Sequence, residues 1–287
     1  MESYIDYVQS MENLSREAAA IPLREGGDLA ELCALERGKR FGKVLVFSPH
    51  PDDECIVGLL PLRLMSEAGA EVVDVAITLG SKMERRAERL AELGKACGFL
   101  RWSLKFGREG AYENINPISR DSDRASWTKK AEEIASLILA ERPRLLLLPH
   151  SADWNATHKG TSLLVYDALE ILGSEFTGFV VETEYWGSFD KANLMVEASP
   201  RHIAALMEAL AKHVGEVSRN DYHLRLPAWM SDNVRRGAEL VGGQGGAAPH
   251  FAFACLYNVR RLSGGKWEDP FGKGVFIPVD LSADSVF

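Results

Sequence analysis

The chain has 287 residues, of which 46% are hydrophobic and 26% charged, and its formal net charge is −8. This length and composition predict a soluble globular protein that buries a substantial core. The acidic balance argues against a broad nucleic-acid interface, which needs Lys and Arg clustered on one face. No run of 18 consecutive apolar residues occurs, so the sequence predicts no membrane span.

The cysteines and the N-terminus indicate which cellular compartment to expect. The four cysteines are widely spaced and form no CxxC pair, which predicts reduced, mostly buried thiols. The first 20 residues are polar and acidic and lack the apolar centre of a secretory signal. We therefore expect a cytoplasmic protein, and the composition leaves homo-oligomerisation open. The cysteines are Cys33, Cys55, Cys97 and Cys255.

Short apolar runs alternate with amphipathic segments along the chain, which predicts strands and helices in turn. The first run, 43–48 (KVLVFS), is rich in β-branched residues and is stopped by Pro49, as is typical of a buried parallel strand. Further strands are expected at 71–78, 144–148, 178–185 and 251–259. Helices are expected within 1–40, at 55–68, 84–97, 127–141 and 161–172, and from Ser199 onward.

Glycine, proline and polar residues mark where these elements begin and end. Gly69 and Gly98 are each predicted to end a helix. Ser199 as the N-cap and Pro200 at the first helical position predict the start of another. The predicted loops are residues 107–126, which are polar, and residues 241–248, which are rich in glycine.

The strand–helix alternation over the first 185 residues predicts an α/β protein. We expect a Rossmann-like, mostly parallel sheet with helices on both faces. Because no internal repeat or Pro/Ser-rich linker is present, the simplest organisation is a single domain over 1–287. Its expected parts are an N-terminal helical segment (1–40), a core sheet (about 43–185) and C-terminal additions (about 199–287). Ligands of such sheets bind beyond the carboxyl ends of the strands.

An imidazole and three carboxylates follow the first predicted strand, in residues 49–54 (PHPDDE). His50 and Asp53 are three residues apart, a spacing that brings both side chains within reach of one ion at the turn into a helix. Asp52 lies between them and suits a hydrogen bond to a metal-bound water better than ligation. The alternative is an acidic N-cap cluster with His50 as an ordinary loop residue. Capping, however, has no use for the histidine.

A second polar segment, PHSADWNATH, follows the strand expected at 144–148. It places His158 at the same edge of the sheet, as a candidate third ligand. Two histidines and a carboxylate with an open fourth position form a recognised catalytic zinc set. A lone loop histidine is more often structural, but two such loops at one edge favour a shared site. His150 stands eight residues upstream of His158, and no motif places it.

The complete PHPDDE string at the end of a strand resembles the first signature of the PIG-L/LmbE superfamily of zinc-dependent N-acetylglucosaminyl deacetylases. The resemblance continues through Thr78-Leu79-Gly80, similar to the family's T-x-G, and covers about residues 43–170. It implies zinc ligation by His50, Asp53 and His158 and general-base catalysis by Asp52.

The chain departs from the family pattern in the second segment. Residues 155–158 (NATH) stand where the family has H-P-D-H. His158 is thus kept, while the family's first His and its Asp are missing. We interpret the D-x-N-x-T-H form as a subfamily variant that retains the ligand. The missing His could assist proton transfer in the family, and no motif assigns this role to a residue here. His150 is a candidate substitute.

Three further positions are candidates for contact with the substrate or the reaction. Arg86, or its neighbour Arg85, matches an arginine that faces the substrate in the family. The mixed-charge run around it is also typical of a solvated helix face. His250 resembles a C-terminal histidine that supports the oxyanion in some relatives. Asn155 is a candidate substrate-binding residue.

These observations predict a Zn²⁺-dependent hydrolase that removes the acetyl group from an N-acetylated, sugar-like small molecule, with neither nucleic acid nor membrane as a partner. Two alternatives stay open. A Mg²⁺-dependent phosphoryl-transfer or phosphatase enzyme would use the carboxylates of PHPDDE, although two histidines favour zinc and the sequence has no Walker-type loop. A non-catalytic α/β binding module would use the same carboxylates only as a helix cap.

Overall fold

A nine-stranded sheet organises the computed structural model, which describes residues 3–23, 40–108 and 110–287. In chain order the strands are β1 (Gly42–Ser48), β2 (Ala70–Ala76), β3 (Ser103–Lys105), β4 (Leu145–Pro149), β5 (Gly178–Thr183), β6 (Leu194–Glu197), β7 (Ala254–Ser263), β8 (Lys266–Glu268) and β9 (Val275–Ile277). Their hydrogen-bonded order is β3-β2-β1-β4-β5-β7-β6-β9, and β8 pairs with β7.

Helices connect these strands and cover the sheet. They are α1 (Tyr4–Ala18), α2 (Asp53–Ile56), α3 (Leu59–Ala68), α4 (Arg86–Leu100), α5 (Pro117–Ser122), α6 (Arg124–Glu141), α7 (Ala156–Leu172), α8 (Pro200–Leu210), α9 (Val214–Val217) and α10 (Tyr222–Gly242). Short 3₁₀ turns occupy Met83–Arg85, Gly173–Glu175 and Ala283–Val286.

β1 occupies the middle of the parallel part of the sheet, with β2 on one side and β4 on the other. β3 and β5 extend this parallel part outward, whereas β7 runs antiparallel to both β5 and β6. The predicted α/β class with a mostly parallel sheet is therefore confirmed, and β7 makes the sheet mixed. Because β2 and β4 lie on opposite sides of β1, the carboxyl ends of β1 and β4 border a crevice suited to a ligand.

Both faces of β1 are buried, which explains its uninterrupted apolar sequence. Val44 and Val46 contribute to one hydrophobic cluster, together with residues of α3 and α8. Leu45 and Phe47 contribute to a second cluster, together with residues of α6 and α7. Alternate side chains of a strand point to opposite faces, so a strand covered on both faces is apolar throughout.

Most of the predicted elements are confirmed in kind. Strands occur at all five expected places, and Gly69 ends α3 in the left-handed conformation with φ 70°. Ser199 caps α8 by accepting the backbone N–H of His202, with Pro200 at the start of the helix. In the N-terminal segment the structure shows α1, and residues 24–39 lie outside the described residues.

Two predicted helices differ from those observed. The helix expected at 55–68 is divided into α2 and α3 at Gly58, where a Cβ would lie 2.8 Å from the Glu54 carbonyl oxygen. The helix expected to end at Gly98 continues to Leu100, whose side chain is fully buried. Burial of that leucine outweighs the roughly 1 kcal/mol that a glycine costs inside a helix.

The prediction of a continuous loop over 107–126 is wrong. This segment holds α5 and the first residues of α6. Asn116 accepts the backbone N–H of Ser119, and Asp123 accepts that of Ser126. These two side chains act as N-caps, so polar residues that indicate a loop here begin helices instead.

The C-terminal residues extend the central sheet. β6 lies in a segment for which no strand is predicted, and β7 and β9 pair with it on either side. Cys55, Cys97 and Cys255 are buried free thiols as expected, while Cys33 lies outside the described residues. Within 3–23, 40–108 and 110–287, no helix combines the length and the apolar character that crossing a membrane requires.

Candidate active site

The turn after β1 is held by the carboxylates of its own motif. His50 donates its backbone N–H to Asp53 Oδ2 over 2.9 Å, and Asp52 donates its own to Glu54 Oε2 over 2.8 Å. Asp52 adopts a left-handed φ of 110°, which is costly for a residue with a side chain. Its side chain makes no capping hydrogen bond to α2 in the described structure. The motif therefore does not serve as a conventional N-cap.

The segment after β4 is organised in the same way by a carboxylate and an amide. Asp153 Oδ1 accepts the backbone N–H of Asn155 over 2.7 Å. Asn155 Oδ1 in turn accepts the N–H groups of Thr157 and His158, at 2.9 and 3.4 Å, and so begins α7. This cap fixes His158 in the first turn of the helix, facing the motif after β1.

Three donor atoms from these two segments converge on one point. His50 Nδ1 lies 3.3 Å and His158 Nε2 lies 3.4 Å from Asp53 Oδ2, and the two imidazole nitrogens are 3.3 Å apart. Asp53 and His158 are fully buried, and Asp53 Oδ1 has no hydrogen-bond partner among the described residues. Two imidazole nitrogens and a buried carboxylate at this spacing can hold a metal ion.

The charges within this group reinforce one another. Burial opposes ionisation of Asp53, but the neighbouring His158 and His50 outweigh it and hold the pKa of Asp53 below its ordinary value. Burial likewise opposes protonation of His158, yet Asp53 and Asp153 raise the pKa of His158 to about 9. The site thus attracts a positive charge, which a proton supplies in the metal-free protein and a cation would supply in its place.

Asp153 holds His158 from the side opposite Asp53. Its Oδ2 lies 3.0 Å from His158 Nδ1, and the Trp186 and Gly187 backbone N–H groups donate to the same oxygen at 3.4 and 3.3 Å. A neutral His158 that donates Nδ1–H to this carboxylate keeps the Nε2 lone pair free for a metal. This carboxylate–histidine arrangement is typical of metal ligands in proteins.

Asp52 stands beside the three donors at the wall of a recess of about 260 Å³. His50 and Asn155 line the same recess. Burial, followed by the charge of Asp53, raises the pKa of Asp52 well above its ordinary range. Asp53 therefore faces the two histidines, whereas Asp52 faces the open space of the recess next to them.

A larger polar cavity of about 560 Å³ opens from His50. Thr78, the first residue of the T-x-G string, donates its hydroxyl to the Pro49 carbonyl over 2.7 Å and joins the end of β2 to the motif. Arg85 and Arg86 both line this cavity. Arg86 also donates to the Gly80 carbonyl at 3.2 Å and to Glu113 at 2.6 Å.

The two remaining predicted histidines lie elsewhere. His150 is buried, its Nε2 is 2.8 Å from the Gly187 carbonyl oxygen, and its ring packs against Phe189. His250 is exposed, in the segment between α10 and β7. Among the described residues, those lining the two cavities include neither histidine. Their roles in the reaction stay predictions.

Several residues of the site escape the sequence-based reasoning. Asp153 belongs to the D-x-N-x-T-H string, so its position five residues before His158 is the signal that could have found it. Arg89 belongs to the mixed-charge run after β2. Glu216 and Arg219 lie beyond α8 and line both cavities, and no motif marks them.

A second buried group stands behind the motif. Glu54 Oε1 accepts hydrogen bonds from His213 Nε2 at 2.7 Å and from the Cys55 thiol at 3.0 Å. Burial opposes protonation of His213, but Glu54 outweighs it and raises the pKa of His213. Since Glu54 Oε2 also receives the Asp52 N–H, the pair connects the C-terminal helices to the strained turn.

The fold and site together define an α/β protein with a candidate two-histidine, one-carboxylate metal centre at the carboxyl ends of β1 and β4. Residues 45–169 match the family model PIG-L, described as GlcNAc-PI de-N-acetylase. This match confirms the resemblance of residues 45–169 to the PIG-L family. No curated protein matches the chain in sequence.

Solved structures share the fold at low sequence identity. A40926 pseudoaglycone deacetylase is 18% identical, with a TM-score of 0.56 over 75% of this chain and 96% of that one. The zinc-inhibited form of teicoplanin deacetylase is 16% identical (TM-score 0.54, 76% and 98% covered). The 4-carboxy-2-hydroxymuconate hydratase of Pseudomonas putida KT2440 is 15% identical, with a TM-score of 0.54 over 76% of this chain and 96% of that one. The likeness shows the fold alone, and the hydratase illustrates that one fold serves different reactions.

Proposed function

We propose that this protein is a zinc-dependent deacetylase that hydrolyses the acetamido group of an N-acetylated, sugar-like small molecule. The observation that carries the proposal is the convergence of His50, Asp53 and His158 beside Asp52 at the wall of a polar cavity. The activity named for the matched family and for two proteins of the same fold is one that this donor set can perform.

The donor set supports zinc as the metal. Two imidazole nitrogens and one carboxylate oxygen suit zinc, whereas Mg²⁺ prefers oxygen ligands throughout. Bound here, zinc would supply Lewis-acid chemistry, polarising the acetyl carbonyl and lowering the pKa of water from ~16 toward ~7. This preference weighs against the magnesium-dependent phosphoryl-transfer alternative.

The residues of the chain take complementary parts in the reaction. Asp52 accepts the proton of the attacking water and can pass it to the departing amine. Asp153 keeps His158 in the tautomer that presents Nε2. We assign Arg86 and Asn155, which line the cavities, to substrate binding. If His250 supports the oxyanion, His250→Ala lowers kcat by about 10²-fold or more at nearly constant KM.

Two measurements test the proposal together. Elemental analysis of protein purified without added metal or chelator should show about one zinc or exchangeable transition metal per chain. A panel of N-acetylated sugars, followed by detection of released primary amine, should show hydrolysis that a chelator stops and Zn²⁺ restores. Weak Mg²⁺ binding as the only metal binding, or hydrolysis that survives complete removal of metal, would overturn it.

A further inference from the structure

Three arginines surround a single carboxylate in the wall of the larger cavity. Arg85 Nη1 lies 2.9 Å and Arg89 Nε lies 3.6 Å from Glu216 Oε1, and Arg219 bonds the other oxygen, Oε2. Glu216 is only 2% exposed. We call Arg85, Arg89 and Arg219 the arginine cluster. Glu88 is 59% exposed and reaches Arg85 Nε only at 4.0 Å, so Glu216 is the one buried carboxylate among the described residues that pairs with the cluster. The three guanidinium groups therefore leave an excess of positive charge on this wall of the cavity.

The rest of the cavity does not offset this charge. Arg86 is paired with Glu113, and Lys82 adds another cation. Five cationic side chains and two carboxylates therefore line the cavity, in a protein whose net charge is −8. Asp52 and Asp53 do not line this cavity. The lining cations are Lys82, Arg85, Arg86, Arg89 and Arg219.

The cluster is built into the fold. Arg89 donates from Nη2 to the Pro51 carbonyl at 3.0 Å, within the metal-binding motif. Its Nε is buried and has no hydrogen-bond partner among the described residues. A Cβ on Gly215 would lie 2.7 Å from Arg85 Nη2, so a glycine stands where the guanidinium needs room. Partly buried guanidinium groups repel one another, and a bound anion would relieve this repulsion.

The position of the cluster indicates which part of a substrate meets it. His50, Arg89, Glu216 and Arg219 line both the larger cavity and the recess that contains Asp52. An acetamido group placed at Asp52 thus leaves the remainder of the molecule directed into a cationic space. About 560 Å³ is enough for a sugar and its substituent.

We propose that the substrate carries an anionic group, a carboxylate or a phosphate, on the part of the molecule distant from the acetamido group, and that the arginine cluster binds it. Guanidinium groups form bidentate hydrogen bonds with both anions. The inference rests on the proposed deacetylase function and narrows it to acidic N-acetylated sugars.

Matched substrates test this proposal. Methyl N-acetyl-α-glucosaminide is the neutral probe, N-acetyl-α-glucosamine 1-phosphate carries a phosphate, and the glycolic acid glycoside of N-acetylglucosamine carries a carboxylate. We expect kcat/KM at least about tenfold higher for one or both anionic probes. Their relative values distinguish phosphate from carboxylate. Equal or faster hydrolysis of the neutral probe would overturn the proposal while leaving the deacetylase function intact.

A substitution in the arginine cluster tests whether the cluster causes the preference for anionic substrates. Arg219→Gln, at an exposed position, should lower the ratio of anionic to neutral kcat/KM severalfold. Arg225→Gln is the matched control, because Arg225 is an exposed arginine of α10 that pairs with Asp221 and does not line the cavity. Loss of the preference in Arg225→Gln, or its full retention in Arg219→Gln, would contradict the assignment.

A binding measurement separates the two proposals. Calorimetric titration with glucose 1-phosphate and with methyl glucoside requires no hydrolysis. We expect glucose 1-phosphate to bind at least about tenfold more tightly, and Arg219→Gln to reduce the difference. Such binding by a protein that deacetylates none of the three probes would reject the deacetylase function and keep the anion site. Equal binding of the two sugars would reject the anion site.

Discussion

Among the residues that the structure describes, two groups of three side chains bring potential metal-binding atoms together, and the surroundings of the two groups differ. The first group, the proposed metal centre, consists of His50, Asp53 and His158, and the second group consists of Glu54, Cys55 and His213. The metal centre reaches a polar cavity through the His50 side chain, which is 20% exposed. The second group is enclosed, with Glu54, Cys55 and His213 fully buried.

The hydrogen bonds of the two groups also differ. Asp53 Oδ1 is buried without a partner among the described residues, and two imidazole nitrogens face the other oxygen of Asp53. Glu54, by contrast, accepts from His213, from Cys55 and from the Asp52 backbone. We therefore expect the first group, and not the second, to hold the metal ion. Neighbouring carboxylates serve different purposes because successive residues of α2 point in different directions.

The largest effect expected from this comparison is the loss of metal on removing one histidine. His158→Ala should lower the zinc content of the purified protein to background and abolish amine release, because only His50 and Asp53 of the metal centre then remain. His213→Ala is the matched control for a buried histidine and should keep its zinc. Elemental analysis of both variants checks this, and equal loss from both would mean that the second group also holds the metal.

The second largest effect separates the two adjacent aspartates. Asp52→Asn should retain zinc near the wild-type level while kcat falls by about 10²–10⁴-fold, the usual contribution of a positioned general base. Asp53→Asn should lose zinc and activity together. Zinc content and kcat measured on both variants decide the assignment, and the opposite pattern would reverse it. Unchanged activity in both would reject the hydrolase itself.

Part of the fold and of the candidate site can be predicted from the sequence. The parallel strands and the positions of His50, Asp53 and His158 follow from local signals: apolar runs, prolines at strand ends and polar strings directly after them. Local signals do not predict the start of α5 or the end of α4. At both places helix and loop are close in energy by local propensity, and side-chain caps or tertiary packing determine which one forms. His213 and Glu216 reach the site from beyond α8, and a contact over such a separation leaves no motif.

A third prediction concerns the stability that the second group contributes. His213→Ala leaves Glu54 buried without its imidazole partner, so the free energy of unfolding should fall by about 3–5 kcal/mol. Denaturant titration of the metal-free protein measures it. His202→Ala, at a half-buried position of α8, is the control, because the hydrogen bond it removes is a helix cap worth about 1 kcal/mol. A similar small loss in both variants would mean that the Glu54–His213 pair is not important for stability.

The smallest expected effect is on zinc affinity. It distinguishes a carboxylate that supports the proposed ligand His158 from one that supports the turn at Asp52. Asp153 contacts His158 Nδ1 at 3.0 Å and touches no metal-binding atom, so Asp153→Asn keeps all three ligands but weakens the hold on the His158 tautomer. Outer carboxylates of this kind contribute about 10–100-fold to metal affinity. Zinc competition against a chromogenic chelator should therefore show weaker binding by that factor.

Glu54→Gln is the matched variant for this measurement. Glu54 is as buried as Asp153 and adjacent to the proposed ligand Asp53, yet it supports the Asp52 backbone instead. It should leave zinc affinity within about threefold of wild type while lowering kcat, since the strained turn at Asp52 loses a charged acceptor. Asp153→Asn should therefore weaken zinc binding, whereas Glu54→Gln should impair the general base Asp52. If Glu54→Gln weakens zinc as much as Asp153→Asn does, the two buried groups act as one unit.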